Sequence, residues 1–410
     1  MVKQSLRPMG TFFTRERFGT PQVLAGGLLL IFVAQCCWLI AHQHVGIIAP
    51  DDISRVQEGW SQWHGHGVAG TPTGLVNPNI SIRMRGTSYD PDHSPLWYLI
   101  ESAPVALFNV APDSPAWLWL TRTPFVFIAA LLGASLWYVS RRLYGNAGGY
   151  TALGLYCFSP AVLRASTLWL SPPNMAAAWG TFGSVFTAIA VSHTLYAPRE
   201  VVLWNWRRIL LLGVSLALAV GSYFSLALIV PVLLVFMLYL ATHRSAAVVA
   251  ILGTSCAVAL VLLCGAYFLH PGLFVHGLVN AVLFNGKGAA LHLWESYLQL
   301  AREIAASGPV LVLLVPLSVI LWAAYRRSRY FGNSAPLAVA LFFMALRVLS
   351  PHEVGSIYGL LAAIFLFVFV AGIVADLLET AARELTIAVV IGLLAANAVW
   401  NLIGLYRIAS

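Results

Sequence analysis

Long apolar runs separated by short polar segments make up most of the chain. They lie at about 22–42, 120–140, 147–165, 174–195, 208–223, 225–241, 246–269, 308–325, 334–349, 355–377 and 385–405. Most are close to the ~20 residues that carry a helix across a ~30 Å hydrocarbon core. The ten-residue apolar/polar alternation of a membrane-spanning barrel is absent. The pattern predicts an all-α polytopic membrane protein of about eleven crossings, a single domain over residues 1–410.

The run from Leu96 to Val110 decides the topology. At about 1.5 Å per residue it reaches only ~22 Å, and it contains Glu101 and Pro104. If it spans, Arg141 and Arg142, Arg207 and Arg208, Arg244, and the cluster Arg326, Arg327, Arg329 all fall outside. If it lies along or dips into the outer face, every one of these reaches the cytoplasm, as the positive-inside rule requires. The second arrangement is adopted. Together with Lys3, Arg7, Arg15 and Arg17 it places the N-terminus in the cytoplasm. The pair 208–223 and 225–241, joined around Ser222 to Ser225, reads as one broken helix or two short ones. The outer side then carries a first large loop over 43–119, expected to hold interfacial helices, and a second over 270–308.

Composition agrees with the pattern: 60% of the 410 residues are hydrophobic and 9% are charged. The net charge of +8 sits mainly in short clusters between apolar runs, so it sets orientation and gives no sign of a nucleic-acid partner. The first run is too long for a cleaved leader, and no sorting signal is apparent. The expected home is the bacterial inner membrane. All five cysteines fall within apolar runs and read as small core residues.

The chemistry gathers on the outer side. Asp51 and Asp52 follow the first helix, and Asp90, Asp92, His93, Arg122, Arg164, Lys287, Arg347, His352 and Glu353 belong to the same face. An ionisable residue in or at the end of an apolar span is a functional-site candidate, which singles out Arg122 and Arg347. Two plainer roles stay open: Arg122 snorkelling to the interface, and Arg347 pairing with Glu353. Pro50-Asp51-Asp52 also reads as a helix N-terminus with Asp51 as its cap. His64 and His66 have no carboxylate or cysteine at fixed spacing, so no metal site is assigned. In the second loop, His276, Asn280, Asn285, Lys287, His292, Trp294, Glu295 and Tyr297 suit a sugar-bearing acceptor; an amphipathic helix at the interface explains Leu291 to Leu300 equally well.

Three features together resemble the GT-C glycosyltransferases: the Asp51-Asp52 pair soon after the first helix, the segment His93-Ser94-Pro95-Leu96-Trp97-Tyr98, and Arg122 at the opening of the next span. The likeness is greatest to the protein O-mannosyltransferase and lipid A aminoarabinose transferase branch. It continues through Trp137 to Pro160 and is weak in the second half. It implies a GT-C-like bundle with outer-face interfacial helices, and transfer of a sugar from a polyprenyl-phosphate carrier to an acceptor hydroxyl on the periplasmic face, with inversion. Asp51 then becomes the general base and Asp52 its neighbour. The sequence departs from the family in the second outer loop, where Asn174 stands in place of an acid. It departs again near Pro351-His352-Glu353, which lacks an arginine.

Elementary chemistry fits the same scheme. A carboxylate that takes the acceptor's proton contributes about 10²- to 10⁴-fold. Cations neutralise the phosphate as it leaves, a task for His93, Arg122, Lys287, Arg347 and His352 with Asn174 nearby. No metal or other cofactor is required. The acceptor stays open among glycan, lipid and protein. Two alternatives remain: a lipid-linked glycan ligase or polymerase using a pyrophosphate donor, and a transporter or flippase for such lipids. The transporter would place its ionisable groups near the bilayer midplane.

Overall fold

The computed structural model describes residues 20–42, 56–57, 59–60, 62–64, 95–110, 114–167, 174–196, 205–266, 275, 293–349, 356–379 and 383–409. These residues are helical with no strand. The helices are α1 (Thr20–Ala41), α2 (Pro95–Phe108), α3 (Pro115–Cys157), α4 (Pro160–Thr167), α5 (Asn174–Thr194), α6 (Trp206–Ser222), α7 (Ile229–Leu240), α8 (Ser245–Ala266), α9 (Leu293–Ser307), α10 (Pro309–Ala324), α11 (Phe331–Leu349), α12 (Ser356–Leu378) and α13 (Arg383–Ala409).

The 43 residues of α3 would stretch about 65 Å if straight, twice the hydrocarbon thickness. Instead the chain doubles back at Gly145, whose φ of 75° is open to glycine at no steric cost. The Tyr156 hydroxyl donates to the Ala129 carbonyl at 2.6 Å, 27 positions away. A straight helix cannot bring those two groups together. α3 is thus a hairpin of two passes, its turn between the predicted runs 120–140 and 147–165.

α12 is the central post. It is apolar all round, which permits either a lipid-facing or a fully packed span, and here the other helices cover it on every side. All residues from Ile357 to Val374 are buried. Phe365 lies between Phe182, Phe186 and Phe343, with ring centroids at 5.8, 6.1 and 6.1 Å. α13 is held differently, by amides at a helix end. α3 stops at Cys157, leaving carbonyls that hydrocarbon cannot satisfy. Gln35 of α1 donates to the Cys157 carbonyl at 3.3 Å, and Asn397 of α13 donates to that of Phe158 at 3.0 Å. Asn401 closes the set by donating to Gln35 Oε1 at 2.7 Å.

Hydrogen bonds and ring contacts sort the bundle into two ends. At one end Tyr150 reaches the Pro21 carbonyl, Tyr144 that of Gly332, and Asn333 reaches Asp376 at 2.9 Å. Tyr239 stacks on Phe331, the Tyr196 hydroxyl accepts from the His243 amide, Thr194 bonds Asn205, and Arg327 pairs with Glu379. The clusters Arg141–Arg142, Arg207–Arg208, Arg244 and Arg326–Arg329 therefore share this end, as the charge pattern predicts. The opposite end holds the starts of α3, α5 and α12, the junction of α6 with α7, and the end of α11.

Among the described residues, seven helices are long and apolar enough to cross a membrane, or eight if the bent pair α9–α10 counts as one span. That is fewer than the eleven predicted runs, for local reasons. The α3 hairpin makes two passes within one continuous element, broken only at the non-helical Gly145. α6 has 17 residues and α7 only 12, short of a ~20-residue span. They are two helices, because Tyr223 between them is extended at φ −146°, ψ 116°. α9 and α10 meet at 110°.

α5 and α6 approach closely because Gly180 has no side chain. A Cβ there would lie 2.5 Å from the Ala219 amide nitrogen and 2.6 Å from the Ser215 carbonyl, both backbone atoms that move only if the helices part. Gly180→Leu should therefore cost about 1–3 kcal/mol, read as a lower unfolding midpoint in detergent. Gly253→Leu, where nothing lies within 4 Å, should leave the midpoint unchanged.

Candidate functional site

The end opposite the arginine clusters carries a band of polar side chains set among buried apolar ones. It begins at Arg347, two residues before α11 ends. α9 lies beside it, and Gln299 and Glu303, spaced i, i+4, share one of its faces. Arg347 Nε donates to both Glu303 carboxylate oxygens at 3.0 Å, and Nη2 donates to Glu303 Oε1 at 2.7 Å and to Gln299 Oε1 at 3.0 Å. The Arg347 side chain is 3% exposed and that of Glu303 27%. The remaining nitrogen, Nη1, is buried and makes no hydrogen bond among the described residues. A charged N–H left unused in a buried place calls for an acceptor.

The band continues along the starts of α12 and α5. A side chain at Gly359 would run into the Glu303 carboxylate, so glycine lets α12 back directly against the ion pair. The adjacent Tyr358 donates to Ser225 Oγ at 2.6 Å, and Tyr223 donates to Asn174 Oδ1 at 2.7 Å. The extended residue that separates α6 from α7 thus turns its hydroxyl onto Asn174, and Ser225 meets α12. Asn174 and Arg347, far apart in sequence, stand at the two ends of this band.

Arg122 lies two turns into α3 and is 2% exposed, so it is buried rather than stretched to the surface. Other groups of the protein engage it. Its neighbourhood is the contact of α2 with α3, where Trp97 meets Phe125 edge-on at 4.8 Å. Glu101, 1% exposed, lies on α2 one turn beyond Trp97. Helical residues of the first loop rest on the same helix: Gly59 packs on the Tyr98 carbonyl and Ser102, and Trp63 donates to the Leu99 carbonyl at 2.9 Å.

Asp51, Asp52, His93, Lys287 and His352 lie outside the described residues, as do Asp90, Asp92 and Glu353. The Arg347 partner seen here is Glu303. Trp294 and Tyr297 project from α9, 74% and 56% exposed, whereas Arg164 lines a separate groove beside α1 and α13. Among the described residues no group of three or more His, Cys, Asp and Glu side chains could hold a metal ion. Sequence reading passed over Glu303 and Gln299 as members of the site. Their signal was the i, i+4 pair on an amphipathic segment, set against an arginine 44 positions away.

No family model and no curated protein matches the sequence. Solved structures do match the fold. The oligosaccharyltransferase AglB from Archaeoglobus fulgidus, in complex with an inhibitory peptide and a dolichol-phosphate, aligns with a TM-score of 0.61 at 14% identity. The alignment covers 95% of this chain and 55% of that one. The likeness is one of fold: a helical membrane bundle resembling that of a GT-C enzyme. The apo form of the Archaeoglobus fulgidus enzyme gives 0.59 at 12% identity over 94% of this chain and 55% of that one. This GT-C-like chain spans about half the length of those neighbours.

A buried ion pair is strongly destabilised by losing one partner and little affected by replacing both with apolar groups. Glu303→Leu should cost about 3–5 kcal/mol by stranding the Arg347 charge. The double variant Glu303→Leu/Arg347→Met should recover most of that loss. Detergent unfolding midpoints for the two singles and the double check this; equal losses in Glu303→Leu and the double variant would show that the two residues are not coupled.

Proposed function

We propose that this protein is an inverting membrane glycosyltransferase that takes a sugar from a polyprenyl-phosphate donor and passes it to an acceptor hydroxyl on the outer face. The observation that carries the reading is the Arg347 guanidinium. It is buried at the end of the bundle away from the arginine clusters, is fixed by Glu303 and Gln299, and has Nη1 unused. A guanidinium held on one edge keeps another free for a phosphate oxygen, and a site screened from water raises the worth of that contact as the phosphate leaves. Arg122 adds a second buried cation at the same end, and His93, Lys287 and His352 complete the proposed phosphate-binding set. Asp51 acts as general base with Asp52 beside it. Asn174, which accepts from Tyr223, would bond a sugar hydroxyl in this scheme.

The orientation proposed is the one the arginine clusters favour, with the clusters in the cytoplasm and the polar band at the periplasmic face of a bacterial inner membrane. A second reading is supported by the fold neighbours, which are oligosaccharyltransferases, one of them bound to a dolichol-phosphate and a peptide. In that reading the donor carries a glycan on a lipid pyrophosphate and the acceptor is a protein.

Purified protein in nanodiscs, given polyprenyl-phosphate sugars, lipid-linked oligosaccharides and a panel of lipid, glycan and peptide acceptors, separates the readings. Transfer from the monophosphate donor that falls about 10²- to 10⁴-fold in Asp51→Asn is the expected result. Undiminished transfer in Asp51→Asn removes the base assignment, and transfer from the oligosaccharide donor alone favours the second reading. Arg347→Gln should lower transfer by raising the demand for donor, so its loss should appear in kcat/KM.

A further inference from the structure

Away from the polar band, a groove of about 310 Å³ lies between α1, α4, the α9–α10 bend and the last third of α13. Its walls are apolar and slim: Leu39, Leu163, Ala305, Ala306 and Leu405, with Trp400 beside them at 58% exposure. Leu39 is close to the end of α1, and Pro309 of the lining opens α10. The groove therefore sits near the membrane boundary at the end where the band lies, an interfacial depth that suits Trp400. It also opens sideways, because α1 and α13 are among the least covered spans, 33% and 11% buried over their apolar windows.

One charged side chain, Arg164, lines the groove. Arg302 stands one turn before Ala305 and Ala306 on the same face of α9, and it is exposed. Neither arginine makes a hydrogen bond or ion pair among the described residues, and the lining holds no carboxylate. Two uncompensated cations over an apolar slot that faces hydrocarbon form a site for a ligand with an anionic head and an alkyl chain. We infer that this groove binds an acidic glycerophospholipid of the surrounding bilayer, with one acyl chain in the slot and the phosphate between Arg164 and Arg302. The donor proposed above concerns Arg347, and neither it nor its partners Glu303 and Gln299 line the groove, so the lipid is a separate ligand. Its consequence for the site is mechanical: it presses on the helix that also carries Glu303 and Gln299.

Gly404 makes the test clean, because it lines the groove and a Cβ added there meets nothing within 4 Å. The protein is reconstituted in nanodiscs of equal phosphatidylglycerol and phosphatidylcholine, and retained lipid is counted by native mass spectrometry. Phosphatidylglycerol should be retained in preference. Arg164→Gln should lower that retention about fivefold and Arg164→Gln/Arg302→Gln about fivefold again, the factor matching ~1 kcal/mol per cation at a membrane surface. Gly404→Trp should abolish retention of both lipids with an unchanged elution profile. Equal retention of the two lipids, retention of phosphatidylglycerol unaltered by Arg164→Gln, or its displacement by polyprenyl phosphate supplied at the same mole fraction would overturn the inference.

Discussion

Hydrocarbon offers a polar group no water to fall back on, so every interruption of a helix at membrane depth has to be answered by the protein itself. That constraint explains what stands at each break in this bundle. Where α3 ends, Gln35 and Asn397 take the released carbonyls. Where α6 gives way to α7, Tyr223 and Ser225 on either side of Phe224 reach Asn174 and Tyr358. Where α9 turns into α10, Gly308 leaves room for Asn397 alongside. The amides that take the carbonyls at the end of α3, and the hydroxyls beside the α6–α7 break, are also the groups that knit α1, α5, α12 and α13 together.

The polar band follows from the same rule applied to charge. Arg347 is tolerated in its buried position because Glu303 and Gln299 meet it with three atoms. The carboxylate is about a quarter exposed, which moderates its desolvation cost, while the guanidinium is almost wholly covered. Such a pair is poor value as a stabilising device compared with two apolar side chains. Its presence is better understood through chemistry: it holds a cation rigid in a place from which water is largely excluded.

Much of the architecture was legible from apolar runs and arginine positions. Helices appear at every predicted run, the break near Ser222 to Ser225 falls at Tyr223, and the arginine clusters collect at one end. Those features depend on hydrophobicity and charge, which act over whole segments and leave a periodic mark. The hairpin at Gly145 was legible only as a gap between two runs, because the single left-handed glycine that creates it is local. The candidate site was legible in part. Arg347 and Arg122 stood out as charged groups in or at the ends of apolar spans and Asn174 through the family resemblance, but the pairing of Arg347 with Glu303 rests on a helix lying across the bundle. No one-dimensional pattern specifies which residue such a helix will set against its neighbour.

α12 is fastened at both ends, by Tyr358 to Ser225 at one and by Asp376 to Asn333 at the other, and its flanks are packed along their whole length. It can neither slide nor tilt without breaking buried hydrogen bonds. Any adjustment at the end that carries the polar band must then come from thinly covered elements such as α13, 11% buried over its apolar window, moving about a fixed axle. The bundle is rigid in its middle and compliant at its rim.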